Sequence, residues 1–327
     1  MGKTLAASLM GLLLLTTMTK ADDTITATAV GLLAMGEANT GPYLQWRGSL
    51  NLSSPLEGFG GFSGIMLSPD CTKLTAISDD GWWLSTSLSY DAQAKLSSAT
   101  QAQIAPMLNA KGKRGPMKSW RDAEALAFLD DNTAIVAFES HPRLESFKIG
   151  RDGWRAPGRR VPMPKAIADG PENGEIEALG FSKEGPLKGQ FIAIAESNFD
   201  KAGNPRAWVW PLGSTKPVTF TLERLDAYRV TDLAMLAGGD ILILQRNFVP
   251  AFTGMAIARL AAADIKPGAV VKPQLLFEAR QPAHIIDNME AIALCEMNGE
   301  TRVTVMSDDN FIPAFQSTLL IQFALTK

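Results

Sequence analysis

Short apolar runs, each closed off by turn residues, recur along the chain at nearly constant spacing. They come in pairs. The pairs lie at 61–70 with 73–80, 121–128 with 134–140, 174–181 with 190–197, 230–236 with 240–246, and 288–294 with 301–309. In each pair the first run begins at a polar or acidic residue and reaches a turn. Ser68-Pro69-Asp70, Asp130-Asp131-Asn132 and Gly238-Gly239-Asp240 are examples. The second run then ends in a polar or acidic group. Runs this short, bounded by turn signals, predict strands rather than helices. With Ser63, Glu124, Glu177, Asp232 and Glu290 as anchors, the steps between copies are 61, 53, 55 and 58 residues. One strand pair repeated over the chain predicts an all-β fold, a β-propeller of about five blades, with six still compatible with the spacing. A two-sheet sandwich would not repeat one unit so evenly. The segments 45–52 and 318–325 predict strands from the two ends that close the ring. The stretches 85–120 and 150–173 lack a clear period and predict outer strands with long loops. The Ala- and Gln-rich stretch 91–108 is expected to include a helix.

A tight turn makes the two strands of each copy antiparallel, so the start of the first lies beside the end of the second. The carboxylates at both places then face one mouth of the ring. Copy two supplies Asp122, Glu124 and Glu139, and copy three Glu175, Glu177 and Glu196. Copy five supplies Glu290, Asp308 and Asp309, and copy one has Ser63 followed by Asp79 and Asp80. Copy four departs, with Asp232 and then Gln245-Arg246. Carboxylates crowded in a half-buried channel raise one another's pKa unless cations compensate. The cations available are Arg121, Arg143 and Arg246, or a hard metal; oxygen donors without a His or Cys cluster suit calcium or magnesium rather than zinc. His141, next to Glu139-Ser140, is a candidate general acid or base, with the ordinary role of a polar loop residue as the alternative. The expected catalytic set is Glu124, Glu139, Glu290, Arg121, Arg143, Arg246 and His141. The expected metal ligands are Asp79, Asp80, Glu177, Glu196, Asp308 and Asp309. Each acid alone could equally cap a turn or pair with a local Arg; the recurrence of the position favours a site.

Composition narrows the classes. A net charge of −3 carries no basic footprint for nucleic acid. No Gly-x-Ser-x-Gly elbow, P-loop or dinucleotide fingerprint is present. Lys3 followed by an apolar run over 5–17 and small residues near Ala21 predicts a secretory signal over 1–21, with one mature domain over 22–327. That run is too short to span a bilayer, so no stable membrane insertion is expected after cleavage. The expected location is periplasmic or secreted. With only Cys71 and Cys295, the chain is not a disulfide scaffold; export allows a bridge between them, but two separate small buried residues are the favoured expectation.

Several motifs together resemble a known family. Gly60-Gly61-Phe62-Ser63-Gly64, Ala76-Ile77-Ser78-Asp79-Asp80-Gly81, Arg121-Asp122-Ala123-Glu124-Ala125, Glu139-Ser140 with Arg143, Asn288-Met289-Glu290-Ala291 and Ser307-Asp308-Asp309-Asn310-Phe311 resemble the bacterial "esterase-like activity of phytase" family. The resemblance covers roughly 45–325. It departs where the family's Glu-Gly reads Glu-Ala, at 124, 177 and 290, and where Gln245-Arg246 replaces Glu-Arg. The resemblance implies an exported propeller hydrolase, calcium-dependent, acting on a small-molecule phosphoester or other ester. The competing expectation is a non-catalytic binding module, with an acid–Arg or calcium network as structure and loops such as 111–120 as the contact surface.

Overall fold

In a computed structural model, residues 24–35, 40–168, 176–249 and 252–326 are described. The signal expected over 1–21, and Glu175, lie outside them. Five antiparallel sheets form five blades. Blade 1 runs Phe62–Leu67, Lys73–Ser78, Trp82–Tyr90, Leu96–Pro106. Blade 2 runs Ala123–Asp130, Thr133–Phe138, Arg143–Phe147, Arg159–Val161. Blade 3 runs Ala178–Phe181, Gln190–Phe199, Pro205–Pro211, Val218–Leu222, with Val270–Val271 added in parallel. Blade 4 runs Arg229–Met235, Ile241–Asn247, Gly254–Leu260, Gln274–Arg280. Blade 5 starts with Asn288–Met297, Glu300–Asp308 and Thr318–Leu325 and is completed from the N-terminal side by Leu44–Ser53 and Thr26–Ala29. The first strand of each blade packs on the first strand of the next, and blade 5 packs back on blade 1. The fold is therefore a five-bladed β-propeller closed by strands from both ends of the chain.

The apolar runs follow from this packing. Blades stack face to face, so inner strands are buried on both faces. Thr133–Phe138 is buried at every position. Such strands read as continuous apolar runs rather than alternating ones. Five apolar clusters fill the five spaces between neighbouring blades. Each innermost strand places residues around the end of the shaft away from the acids. There Met66, Leu126, Leu179, Leu233 and Ile292 line a cavity of about 250 Å³.

Two expectations need correction. The stretch 91–108 holds no helix; Leu96–Pro106 is the outer strand of blade 1, paired with Trp82–Tyr90. Leu96, Ala99 and Ala102 are buried while Ser97 and Gln101 are exposed. Burial of one strand face against the neighbouring elements overrides the helix propensity of Ala and Gln. Cys71 and Cys295, expected to be separate, form a disulfide with Cα atoms 5.4 Å apart. The turn of blade 1 carrying Cys71 lies against the inner strand of blade 5, and Glu296 N donates to the Pro69 carbonyl at 3.2 Å. The bond therefore joins the first and last blades across the ring's seam.

Cross-linking residues 224 apart removes much freedom from the unfolded chain. Replacing both cysteines with serine is expected to cost about 2–5 kcal/mol. Thermal melts with and without reductant measure this; coincident melts would mean that strand closure alone holds the seam.

Candidate functional site

The site follows from one bulge repeated around the ring. In blades 1, 2 and 5 the inner strand carries one extra residue against its neighbour, at Ser63, Glu124 and Glu290. In blade 4 the extra residue is Thr231, not the expected Asp232. Ser63 and Thr231 are also equivalent in their bonds. Ser63 Oγ donates to the Ala123 carbonyl at 2.5 Å, and Thr231 Oγ1 to the Met289 carbonyl at 3.2 Å. Each hydroxyl thus ties its blade to the residue preceding the next blade's Glu. Asp232 lies one residue on and is buried. It accepts the N–H of Leu233 at 2.7 Å and of Ile292 in the next blade at 2.8 Å, so it staples blades 4 and 5.

The second strands set a second ring. Asp308 pairs with Asn288 and Arg246 with Arg229, while the N–H groups of Asp79 and Glu139 bond to Gly61 and Asp122. Asp79, Glu139, Arg246 and Asp308 thus occupy corresponding places beside the bulges, and Glu196 on the second strand of blade 3 joins them through its bond from Arg246. These two rings interact electrostatically around the shaft. Burial, then Glu177, Asp122, Asp79 and Glu139, pushes the Glu124 carboxyl well above the usual range. Burial, then Glu196, Glu139 and Glu290, does the same to Glu177, with Arg246 opposing. Burial pushes Glu290 up to about 8 against the opposing charge of Arg246, with Asp308 and Glu196 adding to the rise. Burial pushes Asp308 up to about 7, with Asp79 and Asp309 adding to it. These side chains keep a little surface in the narrow shaft but are walled in by protein.

Two cations sit among the acids. Arg246 donates to Glu196 Oε1 at 3.0 Å and, at close range, to Glu290 Oε1 and Asn288 Oδ1. Asn288 also donates to Glu290 Oε1 at 2.9 Å. Lys118 donates to Asp79 Oδ2 at 2.8 Å and Asp122 Oδ1 at 3.1 Å. Asp122 accepts a further close bond from Ser140. Among the described residues, Asp122, Glu124 and Glu139 each bring one carboxylate oxygen within 4.8 Å of the other two. Asp79, beside this group, has a buried Oδ1 with no hydrogen-bond partner.

Other expected site residues are taken up by the scaffold. Asp80 accepts Arg121 at 2.6 and 2.9 Å and Arg114 at 2.6 Å; the two guanidinium groups outweigh burial and hold its carboxyl below the ordinary value. Asp309 accepts the N–H groups of Gly61 at 3.1 Å and Phe311 at 3.0 Å and the Thr318 hydroxyl at 3.0 Å. Arg143 bonds Glu145 at 2.9 Å and the His141 and Trp120 carbonyls, with its guanidinium 3.8 Å from the Phe138 ring centroid. His141 contacts the Ser119 carbonyl through Nδ1 at 3.1 Å and stacks on Trp120. Arg143 and His141 thus brace the segment before blade 2. Lys118 and Asn288 lie outside the expected set, and Asp122 is expected at the mouth but with no role assigned. The four-residue spacing between Lys118, which opens the short helix Lys118–Arg121, and Asp122, which caps its end, is the one signal that marks the first of them.

The sequence profile of a family described as phytase-like, "esterase-like activity of phytase", matches residues 57–311. No curated protein matches the chain. A solved structure described as "YCF48 bound to D1 peptide" is similar over 92% of this chain and 96% of that one, at 9% identity and a TM-score of 0.39.

Proposed function

Because the chain belongs to the phytase-like family of propellers, we propose that it is an exported, calcium-assisted hydrolase of phosphoesters or other esters, working at the acidic mouth. The convergence of Asp122, Glu124 and Glu139 carries this reading. Their donor set is entirely carboxylate oxygen, and the orphaned Asp79 Oδ1 beside it is one more hard ligand. Both suit a hard divalent cation. Calcium held there would supply a Lewis acid for the ester oxygen and offset the crowded negative charge.

The chain's own groups account for the rest. Lys118 spans Asp79 and Asp122 and fixes two walls of the cluster. Arg246 and Asn288 hold Glu290 in place across the shaft. Burial strengthens the hold of Glu290 on a proton while Arg246 opposes it, which suits a group that gives a proton to a departing oxygen. The division of roles differs from the one expected from sequence, with Glu124 and Glu139 moving to the metal group. A disulfide suits an oxidising compartment. Together with the export signal expected over 1–21 it supports a periplasmic or secreted location.

Turnover of a generic phosphoester and a carboxylester by metal-stripped mature protein, with and without added calcium, tests the reading. Glu124→Gln and Glu139→Gln are expected to reduce the calcium-dependent rate by about tenfold or more. An unchanged rate would place the chemistry elsewhere. One observation favours a second reading: Lys118 and Arg246 already neutralise part of the mouth by ion pairing. A binding module would show calcium-raised melting without turnover of either ester.

A further inference from the structure

One wall of the acidic mouth is apolar, and its backbone is unusual. The loop after Asp309 carries Phe311, Ile312 and Phe315, which are 41%, 49% and 87% exposed. This loop joins the second and third strands of blade 5, so it stands on the acidic face. Asn310 and Phe311 both have positive φ, 48° and 53°. Asparagine tolerates that region, but a bulky aromatic there is a genuine outlier. Backbone strain of this kind persists only where the surroundings enforce it. Here two carboxylates enforce it. Asp308 accepts the Asn310 N–H at 2.7 Å, and Asp309 accepts the Phe311 N–H at 3.0 Å.

Blade 1 makes room for the ring that results. Gly60 and Gly61 have φ of +118° and +63°. A Cβ on Gly61 would stand 2.3 Å from the Phe311 ring and 2.5 Å from Asp79 Oδ1. A Cβ on Gly60 would stand 2.6 Å from Asp309 Oδ1 and 3.1 Å from the Phe311 ring. The glycine pair therefore lets an aromatic face lie directly beside the orphaned oxygen of Asp79.

Most cations of this mouth are meanwhile paired with carboxylates, Arg229 being held instead by the Ser197 hydroxyl at 2.8 Å and the Phe199 ring. Lys118 is held by Asp79 and Asp122, Arg114 and Arg121 by Asp80, and Arg246 by Glu196 and Glu290. A polyphosphorylated polyol would bring many more negative charges than a bound calcium leaves room for among these acids, with those cations already paired. An ester with one reacting group and an apolar remainder meets the mouth as it is built.

We propose that Phe311, extended by Ile312 and Phe315, is the specificity wall of the site, and that the substrate is an ester carrying an aryl or alkyl group rather than a polyphosphorylated polyol. This rests on the hydrolase reading above, so its test needs a readout free of turnover. Calorimetric titration of the calcium-loaded full chain with alkylphosphonates from methyl to octyl provides one. Affinity is expected to rise with chain length, and Phe311→Ser or Phe315→Ser to reduce the octyl affinity by about tenfold while leaving the methyl affinity unchanged. Phe311→Leu should retain most of the gain. Phe315, almost fully exposed, can be changed without disturbing the fold. In kinetics, the same variants should raise KM for an aryl or long-chain ester and spare kcat, and inositol hexakisphosphate should be a poor substrate. An affinity independent of chain length, or unchanged in both serine variants, overturns the wall. So does preference for inositol hexakisphosphate. If chain length governs binding but no ester is turned over, the wall stands and the hydrolase reading falls.

Discussion

Replacing Arg246 with methionine is expected to destabilise the metal-free protein by about 3–5 kcal/mol at pH 8.5, the range seen when one partner of a buried ion pair is removed. Arg246 pairs with both Glu196 and Glu290, and all three side chains are less than a fifth exposed. Without it, Glu290 loses the charge that opposes its desolvation. At pH 5.5 the cost should be smaller by about 1 kcal/mol, because Glu290, with a folded value near 8, is then neutral with or without its partner. Denaturant melts of the variant and the parent at the two pH values measure the difference. Equal losses at both would show that the charge of Glu290 does not contribute to the cost.

The second large effect concerns the parent protein. Its metal-free form should lose stability as pH rises from about 5 to about 8, the reverse of ordinary acid denaturation. Glu290 and Asp308 have folded values near 8 and 7, and Asp79, Glu124, Glu177 and Asp232 are raised as well. Through this window the folded state binds more protons than the unfolded state. Stability then falls with pH, by about 1.4 kcal/mol per unit for each extra proton held. The contribution is complete below the ordinary carboxylate values and lost as each group passes its folded value. Calcium should flatten the profile, since a divalent cation does the protons' work. Melting at fixed ionic strength between pH 4.5 and 8.5, in chelator and in calcium, is the measurement. A flat profile in chelator would mean that these acids are solvated and independent.

Much of the architecture was legible because blade stacking forces it into the pattern. Each inner strand must be apolar on both faces, and each must return to the same mouth, so run length and spacing carried the fold. The closing strands Leu44–Ser53 and Thr318–Leu325 were legible for the same reason. Register was less so. A bulge shifts the side chains by one residue, and Asp232 looks like an anchor until the pairing places Thr231 there. Adjacent acids were also indistinguishable on paper. Asp79 joins the inner ring while Asp80 turns to two guanidinium groups, and Asp308 and Asp309 divide in the same way. Lys118 and Asn288 escaped because neither repeats from copy to copy. The cysteine pair escaped because its residues meet only when the ring closes, and no local pattern records that.

That pair has a consequence beyond folding. Residues 71 and 295 enclose most of the chain in one covalent loop. A single peptide-bond cut in any surface connection between them therefore yields two pieces still held together. In surroundings where proteases act on exported proteins, such a nicked molecule stays one body. It would separate on a gel only after reduction, and its strands would remain in the ring meanwhile.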